Sequence, residues 1–236
     1  MTLSVIVPTY NERESLPELI RRLQGVARGL PLELVVVDDA SPDGTGAMAE
    51  QYARSGVLPM VVVHRESKAG LASAVLDGAR AARGDVVSVM DADLSHPPEM
   101  LVDLAAQIRG GADIVVASRY IPGGGIEAWP LLRRVVSRVA TALARAVLGL
   151  PVRDPLSGFF AARRALLVEG RYLARGYKLL VEVLATHPEA RVVEVPYRFA
   201  DRLRGSSKLS AGEILDYLRL LLALRTRRSR WNSARC

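Results

Sequence analysis

The residues best suited to chemistry are Asp91-Ala92-Asp93, directly after an apolar run. In an extended segment, residues two apart point to the same side, so the two carboxylates converge on one point. Hard cations such as Mg²⁺ take oxygen ligands from one or two carboxylates and complete their shell with substrate phosphates and water. A DxD also occurs in solvated turns and helix caps. Its place after Val86–Met90 and before Leu94-Ser95-His96-Pro97-Pro98-Glu99 favours the metal. His96, beside two prolines, reads as a structural loop residue rather than a ligand. Thr9-Tyr10-Asn11-Glu12 and Asp38-Asp39 are two more polar clusters at the ends of apolar runs. Three strand ends that deliver polar groups to one edge suit a nucleotide.

The elements that must position these residues alternate. Leu3–Pro8, Glu33–Asp38, Met60–His64, Val86–Met90 and Ile114–Ala117 are short β-branched runs. Helical patterns lie between or after them at Ser15–Arg28, Gly44–Arg54, Leu71–Arg83 and Pro98–Arg109. Continuous apolar strands separated by helices predict an α/β fold, a mostly parallel twisted sheet with helices on both faces. Ligands in such sheets bind beyond the carboxyl ends of the strands. A dinucleotide fold would carry a glycine-rich turn after the first strand. That turn reads PTYNERES and has no glycine, nor is there a GxxxxGK[ST] loop. A pyrophosphate bound here needs another source of positive charge, and a metal on Asp91 and Asp93 supplies it. Gly123-Gly124-Gly125 reads as a mobile loop rather than a domain boundary.

At 236 residues, half of them apolar, the chain can bury a core. Its single cysteine, Cys236, excludes a disulfide framework and fits a reducing compartment. No basic-then-apolar leader precedes Leu3, and no apolar run approaches the ~18–20 residues that span a bilayer. The expectation is a protein that is soluble or lies on a membrane. Met1 to Ser118 carries 10 basic and 16 acidic side chains, whereas Arg119 to Cys236 carries 22 and 9. Of the 32 basic residues all but Lys68, Lys178 and Lys208 are arginine, a bias that does not explain the asymmetry. An acidic half suits a metal and a basic half suits anions or anionic lipid.

The strings PTYNE, VVVDDASPDGT, DADLSHPPE and SRY resemble the inverting glycosyltransferases of the GT-A fold. In the second half, WPLLRR, DPLSGF and RLRGSSKLS resemble the polyprenol-phosphate (dolichol-phosphate) mannose synthases. The resemblance runs from about Leu3 to Leu209. It implies a single catalytic domain over residues 1–209, with a nucleotide-sugar half to 118 and an acceptor half from 119. Residues 210–236 then form a C-terminal amphipathic helix and basic tail.

Residue by residue, the resemblance implies that Pro8, Tyr10, Glu12, Val37, Asp39, Lys68 and Ala92 bind the donor with Asp91 and Asp93. Arg202 and Lys208 would close over its pyrophosphate. Asp91, Asp93 and Ser95 would hold Mg²⁺ or Mn²⁺, although the family commonly has Gln where Ser95 stands. Arg119, Arg133 and Ser137 would take the acceptor phosphate, and Asp91, Asp93 and Arg119 would be catalytic. The implied substrates are GDP-mannose, or another nucleotide sugar such as UDP-glucose, and a polyprenyl phosphate. The implied setting is cytoplasmic, at the cytoplasmic face of a membrane. The resemblance leaves room for a separate membrane-anchoring subunit.

The residues support the acceptor reading on their own chemistry. A phosphate monoester has its second pKa near ~6, so it needs positioning and charge balance rather than a general base. Arg133 and Arg134, with Ser137 and Arg138 a turn later, open a helical stretch Leu131–Leu150 that has no acidic residue. This composition suits an interfacial, anion-facing helix. Asp154 reads as orienting its loop. Ile214–Leu224, followed by Arg225, Arg227, Arg228, Arg230 and Trp231, reads either as a membrane-surface element or as a core-packed helix with a basic tail. Arg202–Lys208 is basic and glycine-hinged, as a phosphate lid would be. Nucleic acid is not expected, because aromatics are few and scattered among the cations. A non-catalytic lipid-binding protein would keep the basic helices but has no use for Asp91 and Asp93.

Overall fold

The computed structural model describes residues 1–127, 129–173, 178–200 and 211–233. Among them, seven strands form one sheet in the order β3-β2-β1-β4-β7-β5-β8. Strands β1 (Leu3–Thr9), β2 (Leu32–Asp38), β3 (Met60–His64) and β4 (Val86–Val89) run parallel. So do β5 (Ile114–Ser118) and β8 (Val192–Pro196). The sheet is not wholly parallel: β7 (Phe160–Arg163) runs antiparallel between β4 and β5. A two-stranded ribbon, β6 (Gly125–Ile126) with β9 (Arg198–Phe199), stands beside it.

The pleat explains why both faces are covered. Leu3, Val5 and Val7 of β1 point to one face and pack with α1 (Leu16–Ala27), α2 (Thr45–Ser55) and α4 (Leu101–Arg109). Ile6 of β1 and Val35 and Val37 of β2 point to the other face. They pack with α3 (Leu71–Ala81), α5 (Leu131–Leu148), α6 (Arg164–Glu169), α7 (Leu179–Thr186) and α8 (Ala211–Ser233). Such alternation commits each strand to one register, because a one-residue slip would turn its apolar set outward.

The chain lays β2 and β3 to one side of β1, then crosses to place β4 on the other. The order therefore reverses between β1 and β4, and at such a switch point two loops diverge and leave a crevice. The loops there are PTYNE and DAD. The glycine run, expected to be a mobile loop, is instead tied down. The Gly124 N–H donates to the Ile121 carbonyl at 2.9 Å, and Gly125 pairs with Arg198. A side chain at Gly124 would come within 2.5 Å of the Ser118 carbonyl oxygen, so the run serves close backbone approach. No helix among the described residues is long and apolar enough to cross a membrane.

Candidate active site

The two loops at the switch point and the neighbouring loop after β2 each hold a non-glycine residue in the left-handed region: Asn11 (φ 60°), Leu94 (φ 63°) and Ala40 (φ 59°). For alanine and leucine this conformation is costly, and such strain persists where the surroundings enforce it. The loops after β1 and β2 enforce one another. Asn11 N–H donates to Ser41 Oγ (3.1 Å), Glu12 N–H to Thr45 Oγ1 (3.0 Å) and Arg13 N–H to Asp43 Oδ2 (3.2 Å). Burial opposes ionisation of Asp43, but hydrogen bonds from Thr45 and Arg13 outweigh it and lower its pKa.

The paired Asp38 and Asp39 divide their work. Asp38 accepts from Thr9 Oγ1 (3.3 Å) and from the Ser41 hydroxyl and N–H. Asp39 is buried and accepts from Arg65 (2.8 Å) and from the N–H groups of Ala69 (3.0 Å) and Gly70 (3.1 Å). It thereby fixes the segment carrying Lys68, whose ammonium lies 3.5 Å from the centre of the Tyr10 ring. Tyr10, Lys68, Glu12 and Pro8 thus share one edge. Val37 and Ala92 have almost no exposed surface, so they can offer a ligand little beyond their backbones.

The DAD loop is clamped from both ends. Asp93 Oδ1 accepts from the Ser95 N–H (3.1 Å) and hydroxyl (2.6 Å), an Asx turn that sets its rotamer. Ser95 is fully buried and its hydroxyl points back at Asp93, which makes it a support for that carboxylate. The Asp91 N–H donates to His96 Nδ1 (3.0 Å), so a neutral His96 carries its proton on Nε2. The His96 ring stacks on Phe159 at 5.0 Å and meets Tyr197 and Phe199 edge-on. His96 is therefore a brace rather than a presented ligand. Among the described residues no group of three or more His, Cys, Asp or Glu could hold a metal. Two carboxylates alone fit Mg²⁺ or Mn²⁺ completed by phosphate oxygens, and they do not fit a closed structural zinc site.

The DPLSGF segment joins this loop to the acceptor side. Asp154, fully buried, takes Arg119 Nε and Nη2 on its two carboxylate oxygens, each at 2.8 Å, and also the Arg119 N–H at 3.0 Å. Burial works against charge on Arg119, but the Asp154 carboxylate outweighs it and raises the pKa above the ordinary arginine value. Ser157 Oγ donates to the Ala117 carbonyl (2.7 Å). A side chain at Gly158 would crowd His96 Cε1 at 3.3 Å, which accounts for glycine there.

Around Arg119 stand Tyr120, Trp129 and Phe199, with ring centres 5.4, 5.6 and 6.0 Å from the guanidinium carbon. Arg133 lies 3.8 Å over the Trp129 ring, and Tyr120 donates to Ser137 Oγ at 2.7 Å. Arg119, Arg133 and Ser137 are thus brought to one place through Tyr120 and Trp129. Two more residues stand out here: among the described residues the buried Trp129 Nε1 and Tyr197 hydroxyl have no hydrogen-bond partner that meets strict geometry. A buried donor left unpaired costs about 1–3 kcal/mol, which a polar substrate group would recover. Burial raises the Tyr197 pKa above the ordinary phenol value. Arg202 and Lys208 lie outside the described residues, as do the side chains of Arg228, Arg230 and Trp231.

Residues 4–170 match the family described as Glycosyl transferase family 2. The chain is 46% identical over 229 residues to a Pyrococcus furiosus protein named dolichol-phosphate mannosyltransferase, covering 95% of this chain and 64% of that one. It is 41% identical over 220 residues to the polyprenol monophosphomannose synthase of Mycolicibacterium smegmatis, covering 90% and 82%. The chain thus spans less than two thirds of the first relative's length. Among solved structures, it resembles a glucosyl-3-phosphoglycerate synthase from Mycobacterium tuberculosis in complex with Mn²⁺, uridine-diphosphate-glucose and glycerol 3-phosphate. That likeness has a TM-score of 0.68 at 26% identity and covers 96% of this chain and 79% of that one. Mannosyl-3-phosphoglycerate synthase from Rubrobacter xylanophilus, at 21% identity and TM-score 0.71 over 99% and 75% of the chains, shares the fold. The mixed, mostly parallel sheet is GT-A-like, and the chain belongs to glycosyltransferase family 2.

Proposed function

We propose that this chain transfers mannose from GDP-mannose to a polyprenyl monophosphate, with inversion at the anomeric carbon, giving polyprenyl-phosphate mannose and GDP. The observation that carries the reading is the join between the two half-sites. A carboxylate pair at the β1/β4 switch point is braced, through His96 and the DPLSGF segment, against a buried arginine whose charge is fixed. The names of the relatives at 46% and 41% identity support mannose and a polyprenyl phosphate.

Asp91 and Asp93 would hold Mg²⁺ or Mn²⁺, and when bound the ion neutralises the donor diphosphate. The Mn²⁺ in the structural neighbour supports a divalent metal. Ser95 keeps Asp93 in one rotamer, and His96 holds the backbone of Asp91. Tyr10 and Lys68 border the nucleotide edge, and Asp39 fixes the segment that carries Lys68. On the acceptor side, Arg119, Arg133 and Ser137 bind the lipid phosphate and aim one oxygen at the sugar. No general base is needed, since that phosphate is already largely dianionic at neutral pH. Asp154 is committed to Arg119, so it positions rather than deprotonates. A single displacement inverts the configuration. Arg202 and Lys208 would add positive charge over the diphosphate.

The acceptor arrives from a membrane surface. α5 exposes Leu131 (78%), Leu132 (76%), Val135 and Val139, and α8 exposes Ile214, Leu215, Leu218 and Leu222. The Tyr217 hydroxyl donates to the Ala140 carbonyl at 2.6 Å and ties the two helices together. Two adjoining helices with exposed apolar stripes suit peripheral docking on a cytoplasmic leaflet, with or without an anchoring subunit. UDP-glucose is the second reading for the donor, favoured by the uridine-diphosphate-glucose in the structural neighbour.

The test is turnover of GDP-mannose and UDP-glucose in parallel with a short-chain polyprenyl phosphate, with Mg²⁺, Mn²⁺ or chelator. Lipid-extractable mannose that requires metal is expected. Faster transfer from UDP-glucose would give the donor to glucose, and undiminished transfer in chelator would remove the metal.

A further inference from the structure

Sugar transfer does not account for a basic cleft beside α5. It has a volume of about 660 Å³ and lies between the segment after β5 and the second half of α5. Its walls include Arg119, Tyr120, Arg138, Thr141, Arg145 and Arg153, and among the described residues no carboxylate lines it. Arg119 is neutralised by Asp154. The side chains of Arg138, Arg145 and Arg153 form no hydrogen bond or ion pair among the described residues. Arg138, expected beside Ser137 at the acceptor, also lines this cleft. Thr141 is 5% exposed, and its buried Oγ1 has no hydrogen-bond partner among the described residues. Three uncompensated guanidinium groups and an unused hydroxyl around one cavity are a poor structural motif and a good anion receptor.

The helix says which anion. Arg138 and Arg145 are seven residues apart, two turns along one face of α5, with Thr141 between them. This face lies between the buried line of Ala144 and Leu148 and the exposed apolar stripe of Leu131, Leu132, Val135 and Val139. Arginines on the flank of an apolar stripe sit at headgroup depth when the stripe enters a bilayer. The cleft is also in the size range of small-molecule pockets, so it can admit a headgroup rather than only a counter-ion.

We propose that this cleft binds the phosphate of an anionic membrane phospholipid through Arg145, Arg153 and Thr141, beside the acceptor phosphate at Arg119, Arg133 and Ser137. The inference rests on the reading that α5 lies on the membrane. Arg119 and Tyr120 are the shared wall: both line the cleft, and Tyr120 donates to Ser137. A lipid phosphate held by Arg145, Arg153 and Thr141 would therefore lock the helix at the bilayer beside the point where the acceptor is received.

The experiment uses the full chain and vesicles of phosphatidylcholine with or without phosphatidylglycerol. It compares the wild type with R145Q/R153Q, with Thr141→Val and with the charge-matched control R21Q/R54Q. The cleft double variant should lose about tenfold of its affinity for phosphatidylglycerol vesicles. Thr141→Val should lose several-fold, and the control should bind as the wild type does. Turnover of short-chain polyprenyl phosphate in neutral detergent should be unchanged in R145Q/R153Q. Equal loss in cleft and control variants would overturn the site in favour of general electrostatics. A raised acceptor KM in detergent would make the cleft part of the acceptor site and overturn the proposal. A calorimetric arm with inorganic phosphate separates the sources. Binding of free phosphate that R145Q/R153Q abolishes, with vesicle binding unchanged, would also overturn it. Phosphatidylglycerol selectivity that maps to the cleft in a protein with no sugar transfer would sustain this proposal while ending the proposed function.

Discussion

The Arg119 guanidinium is gripped edge-on by the fully buried Asp154 carboxylate, with both nitrogen–oxygen distances at 2.8 Å. Arg119 also donates its backbone N–H to the same carboxylate, so Asp154 fixes the side chain and the chain direction after β5 together. Removing one partner of a buried pair leaves the other charge uncompensated, at a cost of about 3–5 kcal/mol. Asp154→Asn should therefore lower unfolding stability by about 3 kcal/mol in urea titrations and raise the acceptor KM more than the donor KM. A variant with wild-type stability, or with loss confined to the donor, would remove Asp154 from this role.

The pH dependence expected of transfer follows from the acceptor phosphate. Arg119 and Tyr197 both have pKa values raised above their ordinary ones, so neither changes charge between neutral pH and about 9. The acceptor phosphate titrates near ~6. The rate of transfer should rise through that point and then stay level to about pH 9, read from initial rates in a constant-ionic-strength buffer series. An alkaline limb below pH 8 would point to a catalytic acid that the site has not revealed.

Asp39 reaches the donor edge through others. Its carboxylate collects Arg65 and the N–H groups of Ala69 and Gly70, and Lys68 lies between them in sequence. Asp39→Ala should destabilise the fold by about 1–3 kcal/mol. It should weaken donor binding several-fold in calorimetry, with polyprenyl phosphate binding unchanged. Donor binding at wild-type strength in a folded Asp39→Ala protein would dissociate the segment from the nucleotide.

What was legible in the sequence follows the range of the interaction. Met60–His64 is a strand in both readings because a β-branched run between turn residues carries its own signal. Phe160–Arg163 was not legible as a strand. Its four residues include two alanines and an arginine, and they gain their place only by pairing antiparallel with β4 and β5, both far away in the chain. The expected convergence of Asp91 and Asp93 assumes an extended segment, whereas Ala92 and Asp93 lie in a turn after β4. The hold of Asp154 on Arg119 spans 35 residues and needs the fold. The hydrogen bond from the Ser95 hydroxyl to Asp93 also needs the turn that the fold imposes on this loop. The last helix was expected over Ile214–Leu224 but continues to Ser233, so arginines expected in a tail belong to it.

Exposed leucines at the start of α5 should contribute to docking in proportion to apolar area. Leu131 and Leu132 are 78% and 76% exposed, and burying a leucine side chain is worth about 1.5–3 kcal/mol. The double substitution Leu131→Ser and Leu132→Ser should cut vesicle partitioning at least tenfold in flotation assays, with little change in thermal stability. Unchanged flotation would place the membrane contact elsewhere.

The central claim is that a phosphate, held by Arg119, Arg133 and Ser137, is the nucleophile and that no side chain serves as base. The most direct measurement compares transfer from GDP-mannose to a polyprenyl phosphate and to the free polyprenol of the same chain length, in one detergent and with the same metal. The account predicts lipid-linked mannose from the phosphate alone, with the alcohol at background. Efficient transfer to the alcohol would contradict it, since a hydroxyl must lose a proton to a base that this site does not present.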